Sequence, residues 1–364
     1  MKNGIKEHVL KLSTNFLFQS RSINIRENLT PPPSPATRRH GSTTTASPRS
    51  PSSSRHRGRS RLDIVPFDHH RAAEDQLQFR PVARLSGDIF HLEASCDGLL
   101  LVCDTRQYAI CNPATRQYAP LLQLDKFRLL GMYPHTLTGE EYRLLLLPTP
   151  DEPEPADRET CHVFSLGSRQ PPRNIGNGWP EPADRTPVPV PVLFRGGLHW
   201  HLDDMIMVFD TAAESFRQTR SPVHGGHGPL FEMDGMIAMY NFTDASATVI
   251  DIWVLQDYES EASWTFKCRV GLLAEEIKAQ FGNLLNHWNV VATASCCDGN
   301  VMFLVRFGKW LHQVDIHGNL VGSFHVGLLP TQLHLKQTLV LHAFFPKLKG
   351  YAVNASPFGG TYFY

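Results

Sequence analysis

Residues 95–121 read SCDGLLLVCDTRQYAICNPATRQYAPL, and their order decides the fold. An Asp-Gly pair at 97–98 precedes the strand-length apolar run Leu99–Asp104. A second run, Tyr108–Cys111, meets Asn112-Pro113-Ala114-Thr115, and a third follows at Gln117–Leu121. Asp-Gly is a tight-hairpin pair, and Asn followed by Pro suits the first two positions of a reversal. The stretch therefore predicts three short antiparallel strands joined by tight turns.

The same grammar returns at 194–219, 231–257 and 296–326. Each unit has a Gly turn, a strand, a polar break, a second strand ending in Asp or Asn, a turn and a further strand. The opening glycines are Gly98, Gly197, Gly235 and Gly299. The first interval is much the longest and holds two more strand-like runs, EYRLLLLP at 141–148 and TCHVFSLG at 160–167. With one unit assigned there, the mean spacing is roughly 50 residues, near the kelch-type propeller period. The expected fold class is all-β: a kelch-like β-propeller of about five to seven blades. One stretch breaks the pattern. In GLLAEEIKAQFGNLL at 271–285, Leu273, Ile277, Phe281 and Leu284 recur at helical spacing, which predicts a single amphipathic helix inserted between strands.

Composition divides the chain. Its 364 residues carry 35 Lys+Arg against 35 Asp+Glu, a net charge of zero. Thr30–Arg61, however, holds seven Arg and no acidic residue, and Ser, Thr and Pro fill 19 of its 32 positions. Its only hydrophobic residues are Ala36 and Ala46, so it cannot bury enough apolar surface to offset chain entropy and reads as a disordered basic arm. The domain reading is an N-terminal segment with this arm at 1–62 and a linker with a possible first strand at 63–85. The propeller follows at 86–358, with a short tail at 359–364. The longest apolar runs fall far short of the ~18 residues of a membrane helix, and no secretory leader is recognised at the N-terminus. Seven cysteines spread over a long chain do not suggest a disulfide framework; they read as reduced thiols in a cytoplasmic and/or nuclear protein.

No phosphate-cradling loop, dinucleotide fingerprint or nucleophile elbow is present, so HGGHG at 224–228 reads as a surface loop. His199 and His201 flank Trp200, and strand alternation places both imidazoles on one sheet face. Without a third ligand they read as ordinary strand residues. Cys103 and Cys111 are expected on neighbouring strands as small hydrophobes, and the adjacent Cys296 and Cys297 on opposite faces of one strand. Asp203–Asp204 and Glu140–Glu141 read as exposed turn charges. Trp200, Trp253, Trp264 and Trp310 fall in or beside strand runs and are expected to wedge between blades. Trp179, in the Pro-rich NGWPEP, is the one candidate for an exposed partner contact.

The units also carry a resemblance. SCDGLLLVCD followed by YAICNPATRQYAPL resembles the opening of the F-box-associated domain of plant F-box proteins, especially the large grass families. Further similar segments follow in order: YRLLLLP at 142–148, CHVFSLGS at 161–168, VLFRGGLHWHL at 192–202 and IMVFDTAAESFR at 206–217. IDIWVLQDYE at 250–259, VDIHGNLV at 314–321 and the ending at 335–358 complete the series. The resemblance implies a kelch-like propeller whose loops capture a protein substrate, joined in the family to an N-terminal F-box that binds the adaptor of a cullin-based ubiquitin ligase. Here residues 1–62 contain no Trp, and the first Pro is Pro31, so no F-box is recognised. HHRAAEDQLQF at 69–79 resembles the linker that follows one.

The expected function is a non-enzymatic protein-interaction module without cofactor or metal, binding a protein substrate and neither membrane nor nucleic acid. The alternatives from other classes are a propeller enzyme or sugar-binding protein centred on His199-Trp200-His201, and RNA binding through the Arg-rich arm.

Overall fold

The computed structural model describes residues 15–23, 59–66, 83–88, 90–104, 107–135, 141–149, 160–180, 188–223, 228–243 and 249–257. It further describes 264–272, 289–295, 301–307, 310–325, 329–336, 340–355 and 358. The described backbone falls into six antiparallel sheets, five of four strands and one of five.

Five of these blades are built from consecutive stretches of chain. Blade II orders β4 (Phe90–Cys96), β5 (Leu99–Asp104), β6 (Gln107–Asn112) and β7 (Gln117–Leu121). Blade III holds β8 (Phe127–Pro134), β9 (Tyr142–Pro148), β10 (Thr160–Ser165) and β11 (Arg173–Asn177). Blade IV holds β12 (Val192–Phe194), β13 (Gly197–Leu202), β14 (Met205–Asp210) and β15 (Ser215–Arg220). Blade V holds β16 (Leu230–Met233), β17 (Met236–Phe242), β18 (Val249–Leu255) and β19 (Trp264–Gly271). Blade VI holds β20 (Asn289–Ser295), β21 (Val301–Phe307), β22 (Trp310–Asp315) and β23 (Leu320–His325).

The remaining sheet, blade I, draws on both ends of the chain. It orders β24 (Leu329–Lys336), β1 (Asn15–Ile23), β2 (Arg59–Pro66) and β3 (Ala83–Asp88). Its innermost strand β24 touches β4 on one side and β20 on the other, which closes the ring. A fifth strand on blade II, β25 (Ala352–Val353), pairs with the outer edge of β7. The strand-like runs at 141–148 and 160–167 supply β9 and β10, the middle strands of blade III, which is the unit that the long interval between glycines implied.

Continuous apolar runs are explained by burial on both faces. In β9, Leu144, Leu145, Leu146 and Leu147 are all 0% exposed. Leu144 and Leu146 pack toward blade II with Leu99, Leu101 and Ile110, whereas Leu145 and Leu147 pack toward blade IV with Leu198, Trp200 and Phe209. A strand held between two sheets has no solvated side, so alternation gives way to an unbroken run. Each fully buried Leu contributes about 1.5–3 kcal/mol, before chain entropy is charged against it.

The unit grammar has a structural cause. In blades II to VI the chain enters at the inner strand, so their first-to-second and third-to-fourth connections emerge at one rim. In blades II, IV and V the first-to-second turn is tight: Asp97 and Gly98 have φ of 45° and 82°, Arg195 and Gly196 45° and 75°, Asp234 and Gly235 52° and 68°. Two successive left-handed residues match the strand twist, and glycine takes the second position without Cβ strain. In blade IV that position is Gly196, and Gly197 already starts β13. In blades II, IV and VI the third strand ends in Asp or Asn, and that side chain caps the next turn. Asn112 Oδ1 accepts the N–H of Ala114 and Thr115 at 3.0 and 3.2 Å. Asp210 Oδ1 accepts those of Ala212 and Ala213 at 2.8 Å each. Asp315 Oδ1 does the same for His317 and Asn319, also at 2.8 Å.

Among the described residues the only helical segments are two single 3-10 turns, Leu122–Leu124 and Phe345–Lys347. The helix expected at 271–285 lies outside the described residues beyond Leu272, and Gly271 ends β19. The basic arm expected at 30–61 likewise lies outside them, apart from Arg59–Arg61, which belong to β2. Among the described residues no helix is long and apolar enough to cross a membrane.

Candidate functional site

The His199-Trp200-His201 triplet sits on β13 with the expected alternation, and each residue is committed to the blade. Trp200 is 0% exposed, and its Nε1–H donates to the Leu130 carbonyl of blade III at 3.1 Å. His199 Nδ1 lies 3.0 Å from the Gly197 carbonyl, and His201 bridges the Gly228 carbonyl at 2.9 Å and Ser221 Oγ at 3.0 Å. Burial holds the His199 imidazole well below its usual range, at about 4. A neutral imidazole fixed by backbone carbonyls acts as a structural pillar here. Among the described residues, no group of three or more His, Cys, Asp or Glu side chains is arranged to hold a metal ion.

Trp179 is half-buried. Its ring stands edge-on to Trp200, with centroids 5.2 Å apart and planes at 86°, in the wedge between blades III and IV. Gly228, the last residue of the Gly-rich HGGHG, is buried against the backbone of Tyr240 rather than placed on a free surface loop; residues 224–227 lie outside the described set. Cys103 and Cys111 occupy the neighbouring strands β5 and β6, and burial raises the Cys111 thiol. Burial pushes the Cys161 thiol up to about 11 as well, which keeps it protonated. Cys296 and Cys297 lie outside the described residues. Asp203 and Asp204 are exposed in the β13–β14 turn.

The rim that carries the tight turns holds a charge network that sequence reading missed. Arg143, at the start of β9, bonds Glu141 Oε1 through Nε at 2.8 Å and Glu214 Oε1 through Nη1 at 2.5 Å. The Arg173 guanidinium takes the other oxygen of Glu214, and Ser165 Oγ donates to Glu141 at 3.0 Å. Glu214 belongs to the β14–β15 turn, so the network ties blade III to blade IV. Its one sequence signal is Arg143 itself, a lone cation inside YRLLLLP. Glu141, read from sequence as an exposed turn charge, keeps 38% of its side chain exposed and is also part of this lattice.

Nearer the axis on that rim, the Tyr142 hydroxyl donates to Asp97 Oδ2 at 3.4 Å, and the His342 ring stands edge-on to Tyr142 at 5.1 Å. His342 belongs to a C-terminal segment that clamps blade II. Phe344, Phe345 and Leu348 fill the wedge between blades II and III, β25 extends the outer edge, and Phe358 enters the wedge between blades I and II. Arg143, Arg173, Glu141, Glu214 and Ser165 are paired with one another at this rim, which suits a rigid surface on which partner contacts are displayed.

The fold and this rim define a class of protein: a ring-closed β-propeller with tightly capped turns. The chain belongs to the F-box associated beta propeller domain family, whose model matches residues 60–309. No curated protein matches the sequence significantly. Among solved structures, a chain of the mitotic checkpoint complex is 12% identical, covering 80% of this chain and 76% of its own, with a TM-score of 0.36. A protein of unknown function from Bacteroides caccae is 10% identical over 76% of this chain and 94% of its own, with a TM-score of 0.42. Virginiamycin B lyase from Staphylococcus aureus is also 10% identical, over 65% and 69%, with a TM-score of 0.38.

Proposed function

We propose that this chain is a non-enzymatic protein-interaction module that recognises a protein substrate. It works either for a cullin-based ubiquitin ligase of plant type or as an F-box-less relative of such receptors, in the cytoplasm or nucleus. The observation that carries the reading is the family match over 60–309, joined to a propeller whose Arg143–Glu214 network holds two blades together at the rim of the turns. Rigid blades with displayed loops suit recognition more than turnover. Two strands of blade I, β1 and β2, come from the region N-terminal to most of the family match, so these residues serve the propeller itself.

The test is co-elution of the purified full chain with a purified cullin adaptor subunit, beside affinity purification of the tagged chain from plant cells. Partners recovered without adaptor binding would establish the F-box-less form, and co-elution would establish the ligase form. Recovery of neither would overturn the proposal.

A further inference from the structure

His342 is 5% exposed, and its Nε2 has no hydrogen-bond partner among the described residues. It is the one histidine of the C-terminal segment 340–355. Rings close around it: Tyr142 stands edge-on at 5.1 Å, and Phe344 and Phe345 lie tilted at 5.4 and 6.4 Å. The titratable neighbours come from two other elements. β9 supplies the Tyr142 hydroxyl, which burial keeps protonated. The tip of the β4–β5 hairpin supplies Cys96 and the Asp97 carboxylate. The lysines of the segment itself, Lys347 and Lys349, are exposed. Asp97 is the charge that acts on the imidazole, and it is already engaged. Its Oδ2 accepts the Tyr142 hydroxyl at 3.4 Å and lies 3.9 Å from Cys96 Sγ.

A proton on this ring would place a cation inside an aromatic box, with an N–H at Nε2 in want of an acceptor. The carboxylate would meet it only by leaving Tyr142. Burial outweighs the attraction of Asp97, so the imidazole sits below its ordinary range while the segment is docked. Lifted into water, the same ring titrates near 6.5. The segment is built to lift from its start. Val340 and Leu341 stand 45% and 74% exposed, Asn112 Nδ2 reaches the Val340 carbonyl at 3.4 Å, and β25 pairs with β7 over two residues. Local opening draws on such exposed, briefly laddered stretches.

We propose that His342 makes the C-terminal clamp an acid-sensitive strap, in which lifting of 340–355 from blade II is coupled to the uptake of one proton by this imidazole. Above about pH 6.5 the ring is neutral whether docked or lifted, and opening does not depend on pH. Below it the lifted segment binds a proton that the docked one refuses. The opening equilibrium therefore rises by up to about tenfold per pH unit, until the docked ring titrates as well. Lifting uncovers the wedge between blades II and III and the outer edge of β7, so the strap controls access to both. The device needs no partner and stands apart from the interaction-module reading.

Amide hydrogen exchange of the purified full chain between about pH 7.5 and 5.5, corrected for the intrinsic exchange rate, tests the strap. At the upper end 340–355 should be less protected than β14 of blade IV, because lifting precedes global unfolding. Its protection should be level above about pH 6.5 and fall by up to about tenfold per unit below. Two replacements remove the titrating group: His342→Phe keeps a ring in the box, and His342→Gln keeps a polar side chain. Both should abolish the slope in 340–355 and leave the pH dependence of β14 as it was. Thermal melting at pH 7.5 verifies that each variant is folded. Protection of 340–355 that is level across the whole range, or that equals that of β14 throughout, would overturn the strap on the unmodified chain alone. A slope that persists in a folded His342 variant would overturn it as well.

Discussion

Trp200 donates its indole N–H to the carbonyl of Leu130 at 3.1 Å, across the boundary between blades IV and III. Leu130 is the residue that β8 leaves out of its pairing with β9, where the register shifts between Leu129 and Gly131. The bulge therefore turns a carbonyl out of the ladder and toward the neighbouring blade, a use to which bulges are suited. Trp200→Phe should cost about 1–3 kcal/mol by leaving that carbonyl unpaired, and Trp200→Ala about 3–5 kcal/mol by opening a cavity as well. Denaturant unfolding of the two variants checks both values and their order.

The C-terminal clamp should be as important to stability as any blade strand. Phe345 is 0% exposed and packs with Leu121, Leu124 and Phe164. Phe345→Ala should lower stability by about 3–5 kcal/mol. Removing 340–364 should expose the apolar walls of two wedges and promote aggregation, measured by light scattering on heating.

Gly228 has no room for a side chain. A Cβ there would lie 1.5 Å from the Tyr240 carbonyl oxygen, and the Gly228 carbonyl is itself the acceptor for His201. Gly228→Ala should destabilise by about 3 kcal/mol or more, because backbone rather than a flexible side-chain tip must move. A shift in melting temperature reads this out, and Gly235→Ala offers a contrast: there the open space leaves only the strain of φ +68°.

Stability should fall as pH drops from about 6.5 toward 4. Burial holds His199 and His312 at about 4 in the folded chain. In the unfolded chain imidazoles titrate near 6.5. Above that value both states are neutral and the full stability is present. Below it the unfolded chain binds protons that the folded chain refuses, so stability declines by at most about 1.4 kcal/mol per pH unit for each histidine. Urea unfolding across this range should show the slope, and His199→Gln should reduce it.

The strands were legible where local chemistry sets them. Asp97-Gly98 and Asn112-Pro113 announce their turns because positive φ and side-chain capping are properties of single residues. Four buried leucines at 144–147 show a strand covered on both sides. The contacts between blades were not legible, because they join residues far apart in sequence. Nothing near Glu214 announces Arg143, and nothing near Asp97 announces His342. The role of residues 15–23 was hidden for the same reason, since β1 pairs with β24, more than 300 positions away. Trp179 was singled out for its Pro-rich surroundings, and its partner Trp200 lies outside that window.

Affinity purification of the full chain, quantified against an unfolded Trp200→Asp variant, bears most directly on the interaction role. A protein partner should be recovered in near-equimolar amount with the folded chain and lost with Trp200→Asp. Recovery of no protein above the unfolded control would contradict the role assigned to this propeller.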